Sequence, residues 1–168
     1  MKKNYLLLMI LLTGLSCKHI AKEQVERSVD VHVKGVVEPA STFIDMDGKS
    51  VELSDFKGKR ILLNYWATWC RPCIEEMPNL LNAQEVLRAE NYVFLLASDQ
   101  SLEKIKAFKA KKQYDFTFLK FAGSLAEMQI NALPATFIYN ESGKIVHRID
   151  GATEWDSPKI LDKLKALQ

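Results

Sequence analysis

The sequence predicts an α/β fold in which helices flank a central mixed β-sheet. Apolar runs of strand length at residues 61–66 and 92–98 alternate with amphipathic helical segments, the pattern of strands joined by helices. Two further strands at 135–139 and 144–149, joined by a short turn, precede a closing helix. The 168 residues are 48% hydrophobic and 26% charged, which suits one domain with a full core.

An N-terminal β-hairpin is expected before the central strands. Residues 43–46 and 51–53 are its predicted strands, and an Asp-Gly pair forms the turn between them. Residues 53–59 then predict a turn or one short helical stretch. Further upstream, valines alternate with polar residues over 29–33, which predicts a short edge strand before the domain proper.

The helices are predicted from apolar residues at helical spacing. A helix that begins near Cys73 places four apolar side chains on one face: Met77, Leu80, Leu81 and Leu87. A second amphipathic helix is marked by Leu102, Ile105 and Phe108, and the closing helix by Ile160, Leu161, Leu164 and Leu167. Residues 116–121 predict a short extra strand, and residues 124–130 predict a short helix.

The first 16 residues predict a secretory signal peptide. Lys2 and Lys3 precede an apolar stretch, residues 5–12, which is shorter than the about 20 apolar residues that cross a bilayer. Removal of this signal would delete both lysines and leave 21 basic and 21 acidic residues. A neutral mature chain with no long basic run gives no reason to expect nucleic-acid binding.

Cys17 follows the predicted signal directly. It is left over if the other two of the three cysteines pair, and an odd cysteine in an exported protein is a liability unless it is modified. It resembles the lipidation cysteine of bacterial lipoproteins, although that pattern prefers Leu where this chain has Gly14. The alternative is plain cleavage that leaves a free thiol. The predicted organisation is a signal peptide at 1–16, a lipid-anchored tether at 17–35 and the folded domain at 36–168.

Residues 64–73, NYWATWCRPC, carry the strongest functional signal in the chain. A predicted buried strand ends there in two cysteines three positions apart, where a helix begins, and such thiols can close and reopen a disulfide. The helix N-terminus favours the thiolate of Cys70, and Arg71 adds a cation beside it. The alternatives are a structural disulfide or half of a zinc site. Zinc needs about four ligands and the sequence has no second cysteine pair, so a redox pair is favoured.

Together with residues 74–78, IEEMP, this segment resembles the TlpA/ResA-like thiol–disulfide oxidoreductases, which are extracytoplasmic members of the thioredoxin superfamily. The motifs DGK at 47–49, LSDFKGK at 53–59 and LPATF at 133–137 match the same family, and the resemblance covers roughly residues 37–164. It implies a thioredoxin-like fold with a short central insertion at the extra strand and the short helix.

The order of the two cysteines assigns their expected roles. Cys70, at the exposed mouth of the turn, should be the attacking nucleophile. Cys73, one turn inward, should be the resolving thiol that releases the mixed disulfide. Trp69 and Trp66 are expected to form the wall and the underlay of this site, with plain core packing an equally good account of Trp66.

Pro134 stands at the head of a predicted strand. The resemblance implies that the peptide before it is cis and packs against the redox pair, which exposes the backbone of Leu133 so that a substrate chain can pair with it as an added strand. Leu133 would then shape substrate choice. The alternative is an ordinary proline at the start of a strand.

Glu76 is the predicted acid of the site. It lies three residues after Cys73, at a position where TlpA/ResA-like proteins carry an active-site glutamate, whereas Glu75 has no such role. Thioredoxin itself keeps an acid on the strand, where this chain has Asn64. Partial burial beside the thiols and a tryptophan should raise the pKa of Glu76. A solvated acid in the first helical turn is the alternative.

The resemblance implies a membrane-tethered oxidoreductase that faces the periplasm and reduces disulfides in partner proteins. Its electrons would come from a membrane or periplasmic donor, and neither a metal nor a cofactor beyond the cysteine pair is expected. Apocytochromes and copper-site assembly proteins are among the substrates of the family. The alternatives are a disulfide oxidase or isomerase of the same fold, a copper-binding assembly factor that uses Cys70, Cys73 and His147, and, least favoured, a peroxidase.

Overall fold

The computed structural model describes residues 43–167. The strands of this part are β1 (Phe43–Ile44), β2 (Ser50–Val51), β3 (Arg60–Tyr65), β4 (Tyr92–Ser98), β5 (Thr117–Phe121), β6 (Ala135–Tyr139) and β7 (Ile145–Asp150). Its helices are α1 (Arg71–Leu87), α2 (Leu102–Lys112) and α3 (Pro158–Ala166), with 3₁₀ turns at Leu53–Phe56 and Arg88–Glu90. The predicted signal peptide, the tether with Cys17 and the strand at 29–33 lie outside the described residues.

The strands form one mixed sheet in the order β2-β1-β5-β4-β3-β6-β7. β3, β4 and β5 run parallel, whereas β6 is antiparallel to β3 and the hairpins β1–β2 and β6–β7 close the two edges. Every residue of β3 is buried, as expected for a strand covered on both faces. The predicted α/β fold with a mixed central sheet, flanking helices and an N-terminal hairpin is therefore confirmed.

The two faces of the sheet bury separate cores, because successive side chains of a strand point to opposite faces. One core lies between the sheet and all three helices and includes Leu62, Met77, Leu80, Ile105 and Leu164. The other core lies beneath the 3₁₀ turn at Leu53–Phe56 and the segment 124–130, and it includes Ile61, Leu63, Tyr65, Met128 and Ile130.

The helix predicted at residues 124–130 is wrong, because this segment is a run of turns. Its N–H groups donate to carbonyls four, three and five residues back, in the pairs Met128 to Ser124, Gln129 to Ala126 and Ile130 to Leu125. Gln129 has a φ of 54°, a left-handed conformation that ends helices. One turn of helix is unstable by itself, so contacts of the buried Met128 and Ile130 with the sheet determine the shape of the segment.

Within residues 43–167, the other predicted strands and helices occur within two or three residues of their expected bounds. The extra strand, β5, is an internal strand of the sheet, since it pairs with β1 on one side and β4 on the other. Leu53, predicted to end the first hairpin, begins the 3₁₀ turn instead.

Three connections meet at the carboxyl end of β3. Tyr65, the last residue of β3, lies opposite Ala135 at the start of β6, and Ala135 lies opposite Asp150 at the end of β7. The loop from β3 to α1, the peptide bond before β6 and the loop from β7 to α3 therefore gather at one edge of the sheet. That edge carries the predicted site.

Candidate active site

Cys70 and Cys73 form a disulfide at the N-terminus of α1. Cys70 is the N-cap residue of this helix, and its Sγ accepts a hydrogen bond from the backbone N–H of Cys73 at 3.3 Å. Pro72 is tolerated in the first helical turn because its missing N–H would have no partner in the helix. After reduction, the same N–H group and the helix dipole favour a thiolate on Cys70.

The exposure of the two cysteines differs from the prediction. Cys70 is 4% exposed and Cys73 is 1% exposed, so Cys70 does not stand at an open mouth in the disulfide form. The bond to Cys73, which packs in the helix-side core, holds the sulfur of Cys70 inward. The large hydrophobic side chain exposed at this turn is that of Trp69, at 72%.

Gln100 holds the loop that carries Trp69. Its side-chain oxygen accepts the backbone N–H of Thr68 at 2.7 Å, and its side-chain nitrogen donates to the hydroxyl of Thr68 at 3.1 Å. This residue was not predicted as part of the site. The available signal was its place just after β4, because the carboxyl ends of parallel strands share one edge.

Trp66 is part of the core between the sheet and the three helices. Its ring packs against Phe108 and Phe118, with centroid distances of 4.6 and 5.4 Å, and it belongs to the same buried cluster as Cys70 and Cys73. Its indole Nε1 is buried without a hydrogen-bond partner in the part of the chain that the structure describes. Of the two descriptions offered for Trp66 from the sequence, core packing therefore applies, and the underlay of the site stays a prediction.

The peptide bond between Leu133 and Pro134 is cis. Pro134 is buried, and its carbonyl accepts the backbone N–H of Gly151 at 2.9 Å, which joins this bend to the loop after β7. Leu133 is partly exposed and packs against both cores. The pairing of Ala135 with the last residue of β3 places this bend at the same sheet edge as the cysteine turn.

Glu76 is buried, at 4% exposure, and its carboxylate accepts three hydrogen bonds. Oε1 accepts from Asn64 Nδ2 at 2.9 Å. Oε2 accepts from the backbone N–H of Thr153 at 3.0 Å and from Trp155 Nε1 at 2.9 Å. Burial raises the pKa of Glu76 above its ordinary range, while the three donors act in the opposite direction. Glu76 is therefore not a solvated helix-surface acid.

Thr153 and Trp155 were not predicted as part of the site. They belong to the loop between β7 and α3, more than 70 residues after Glu76. The only signal in the sequence was a lone tryptophan inside a polar segment, which indicates a buried anchor with a hydrogen-bonding N–H.

Arg71 forms an exposed ion pair with Glu75, one helical turn later, with an Nε to Oε1 distance of 2.6 Å. The hydrogen bond to Glu75 raises the pKa of Arg71. The cation expected beside Cys70 is thus present but paired.

The structure does not bring His147 to the cysteines. His147 lies opposite Ile138, three residues along β6 from the site edge at Ala135, which is a separation of about 10 Å. Within residues 43–167, no three His, Cys, Asp or Glu side chains cluster as a metal site. No helix in the same range is long and apolar enough to span a membrane.

Comparison with known proteins decides the family. The family model described as Redoxin matches residues 34–164, most of the chain. The chain belongs to the Redoxin family. It is 32% identical over 158 residues to a thiol-disulfide oxidoreductase ResA of Bacillus cereus, and the match covers 90% of this chain and 91% of the relative. This Redoxin chain is accordingly a ResA-like thiol–disulfide oxidoreductase.

Solved structures support the fold of this Redoxin chain. A putative thiol-disulfide oxidoreductase from Bacteroides vulgatus has a TM-score of 0.66 at 25% identity, covering 76% of this chain and 91% of that one. The pneumococcal exposed lipoprotein thioredoxin Etrx1 from Streptococcus pneumoniae has a TM-score of 0.62 at 27% identity, covering 75% and 98%. The predicted thioredoxin-like fold is thereby confirmed.

Proposed function

We propose that this protein is an exported reductase of disulfides in partner proteins, tethered to the membrane through Cys17 and facing the periplasm. The observation that carries the proposal is the Cys70–Cys73 disulfide at the N-terminus of α1, beside a buried glutamate on the helix and an asparagine on the strand. That arrangement is the one expected of the extracytoplasmic branch. The resemblance to ResA and to an exposed lipoprotein supports the location.

The reaction begins with the reduced pair. The thiolate of Cys70 attacks one sulfur of a partner disulfide, which breaks that bond and forms a mixed disulfide while the other partner sulfur leaves as a thiolate. Cys73, deprotonated, then attacks the sulfur of Cys70. This step closes the Cys70–Cys73 disulfide, releases the second partner thiolate and completes the transfer of two electrons to the partner, whose thiolates take up two protons from water.

Glu76 is the proposed acceptor of the proton that Cys73 loses. A buried thiol is a poor nucleophile until it is deprotonated, and Glu76 follows Cys73 by one helical turn. Burial raises the pKa of this carboxyl toward the range in which it can take up and give back a proton. Its negative charge also disfavours a second anion nearby. The reduced pair should therefore be less acidic than the helix dipole alone implies, which favours a reductant over a strong oxidant.

Partner recognition is assigned to the exposed groups at the same edge. Trp69 offers an aromatic surface beside the cysteines, and Leu133, before the cis bond, offers backbone to which an extended partner segment can add as a strand. The oxidised pair would be reduced again by a membrane or periplasmic donor protein. Cytochrome c maturation and copper-site assembly are the candidate processes, and the cysteine pair is the only redox group that the proposal requires.

Trapping of a mixed disulfide tests this proposal. Full-length Cys73→Ser should accumulate disulfide-linked partner proteins that dissociate on reduction, because its nucleophile remains and its resolving thiol does not. Cys70→Ser is the matched control and should trap none. The reduced native protein should also reduce insulin, and both variants should fail to turn over. Trapping by Cys70→Ser instead would reverse the assignment of the two cysteines, and absence of insulin reduction would contradict the reductase.

A further inference from the structure

The two oxygens of the Glu76 carboxylate accept hydrogen bonds from different kinds of donor. Oε2 faces a backbone N–H, from Thr153, and an indole N–H, from Trp155, and neither group can ever accept a proton. Within the described part of the chain, Oε1 accepts its hydrogen bond from the side-chain amide of Asn64. An amide carries an acceptor oxygen as well as a donor nitrogen, so Oε1 is the oxygen of Glu76 at which a proton can find an acceptor.

The amide of Asn64 is held only at its nitrogen end. Nδ2 donates both to Glu76 Oε1, at 2.9 Å, and to the hydroxyl of Thr136, at 3.0 Å. Oδ1 is buried and has no hydrogen-bond partner among residues 43–167. A half-turn of the amide exchanges these two ends within almost the same outline and sacrifices no hydrogen bond made by Oδ1, because it makes none.

We propose that the amide of Asn64 turns over when Glu76 gains or loses its proton. With the carboxylate, Nδ2 donates to Glu76 Oε1 and to Thr136. With the protonated carboxyl, Oδ1 occupies that place and accepts the Glu76 O–H, and the hydroxyl of Thr136, which can donate as well as accept, donates to Oδ1 too. Asn64 is thus a positioning residue that keeps Glu76 hydrogen-bonded in both states.

The described groups that bond to Glu76 or Asn64 do not titrate in the same pH range as Glu76. On β3, β6 and the loop after β7, the groups that bond to Glu76 or Asn64 are amides, an indole and a hydroxyl, none of which ionises near neutrality. On α1, the cysteines do not titrate while they are in the disulfide. Of the acids in the same loop, Glu154 is exposed and Asp156 is bonded to Asn79 and Asn82.

The arrangement matters because an unpaired polar group in a buried site is costly. A fixed donor opposite Oε1 would favour only the carboxylate, and a fixed acceptor would favour only the acid. An amide that turns serves both, so Oε1 of Glu76 keeps a hydrogen-bond partner in the ionised and in the protonated state. This role rests on the proton transfer proposed for Glu76, but the turning itself can be observed in the oxidised protein, where no thiol exchange takes place.

The test is a pH titration of the oxidised full-length protein by nuclear magnetic resonance. The side-chain amide signals of Asn64 should shift with the same midpoint as the carboxyl carbon of Glu76. The amides of Asn79 and Asn82 are internal controls, because their partner Asp156 has a lowered pKa and titrates in a more acidic range. Asn64 signals that stay constant while Glu76 titrates would overturn the proposal.

Glu76→Gln provides a second measurement. The new amide must direct its oxygen at the donors Thr153 and Trp155, so its nitrogen faces Asn64 and requires Oδ1 as acceptor. The Asn64 signals should then lie at their acid-side position at every pH. Signals at the alkaline-side position would contradict the turning. If this variant does not fold, the native titration alone decides. Neither readout depends on catalysis, so failure of insulin reduction would contradict the reductase and leave these results unaffected.

Discussion

Replacement of Trp155 by Phe tests the central claim about the site, that an indole N–H stabilises the ionised Glu76. Both Trp155 and Trp66 are buried, at 0% and 1% exposure, but only Trp155 donates its N–H, to Glu76 Oε2 at 2.9 Å. The indole nitrogen of Trp66 is buried and has no hydrogen-bond partner among the described residues. Trp66→Phe is therefore a matched control, because both substitutions shrink a buried ring and only one removes a hydrogen bond.

The size of the stability loss expected for Trp155→Phe depends on whether the acceptor, Glu76, is charged. A hydrogen bond to a charged group contributes about 1.5–3 kcal/mol, whereas one between neutral groups contributes about 0.5–1.5 kcal/mol. Trp155→Phe should therefore lower the free energy of unfolding by about 1.5–3 kcal/mol more than Trp66→Phe when Glu76 is ionised. The difference should narrow to about 1 kcal/mol when Glu76 is protonated.

The contribution of Glu76 to the free energy of unfolding changes with pH in a definite direction. The pKa of Glu76 is raised from 4.5, so the folded protein holds a proton that the unfolded chain has released, and stability falls as pH rises from 4.5 through the folded-state pKa. In Trp155→Phe the carboxylate has one donor fewer, so this fall should be larger. The difference in unfolding free energy between the two variants should therefore increase as pH rises.

Urea unfolding of the oxidised protein, followed by far-UV circular dichroism, measures these differences. Native protein, Trp155→Phe and Trp66→Phe would be compared at a series of pH values from about pH 4.5 upward, because burial raises the pKa of Glu76. If the two variants lose equal amounts of unfolding free energy at every pH, the reasoning is refuted. A difference in unfolding free energy between the two variants that becomes smaller as pH rises would refute it as well.

Three further predictions concern individual residues. Glu76→Gln should slow release of the mixed disulfide by about a hundredfold, the lower end of general acid–base effects, whereas Glu75→Gln should change it little; equal effects would remove the role of Glu76. Mass spectrometry of the protein processed in a bacterial host should find an acylated Cys17 at the mature N-terminus, and an unmodified thiol there would contradict the anchor. His147→Ala should leave the Cu(I) affinity of the reduced protein unchanged, and an affinity that depends on His147 would favour the copper-binding alternative.

Local patterns made most of the fold predictable. Strand β4 was predicted at its observed bounds because a run of apolar residues, 92–98, has strand length and no polar interruption. The turn that carries the cysteines was predictable because a strand, two thiols and a helix start follow one another within a few residues. The failure at 124–130 has the same origin, since one turn of helix has too little local stability to determine its own shape.

Long-range contacts made the rest unpredictable. Gln100 binds the cysteine loop at Thr68 across 32 residues, and Thr153 and Trp155 bind Glu76 across 77 and 79 residues. No periodicity relates such positions. The place of β5 inside the sheet, between β1 and β4, likewise depends on strand pairing between segments distant in sequence.

Local sequence patterns were enough to predict a cysteine pair at a strand-to-helix turn in an α/β fold, because spacing, turn chemistry and apolar periodicity act over a few residues. The environment of that pair was decided by the tertiary structure alone. A glutamate in the first turns of a helix has the same local sequence whether water or protein surrounds it. Only the folding of the loop after β7 over α1 buries Glu76, supplies two of its donors and raises its pKa.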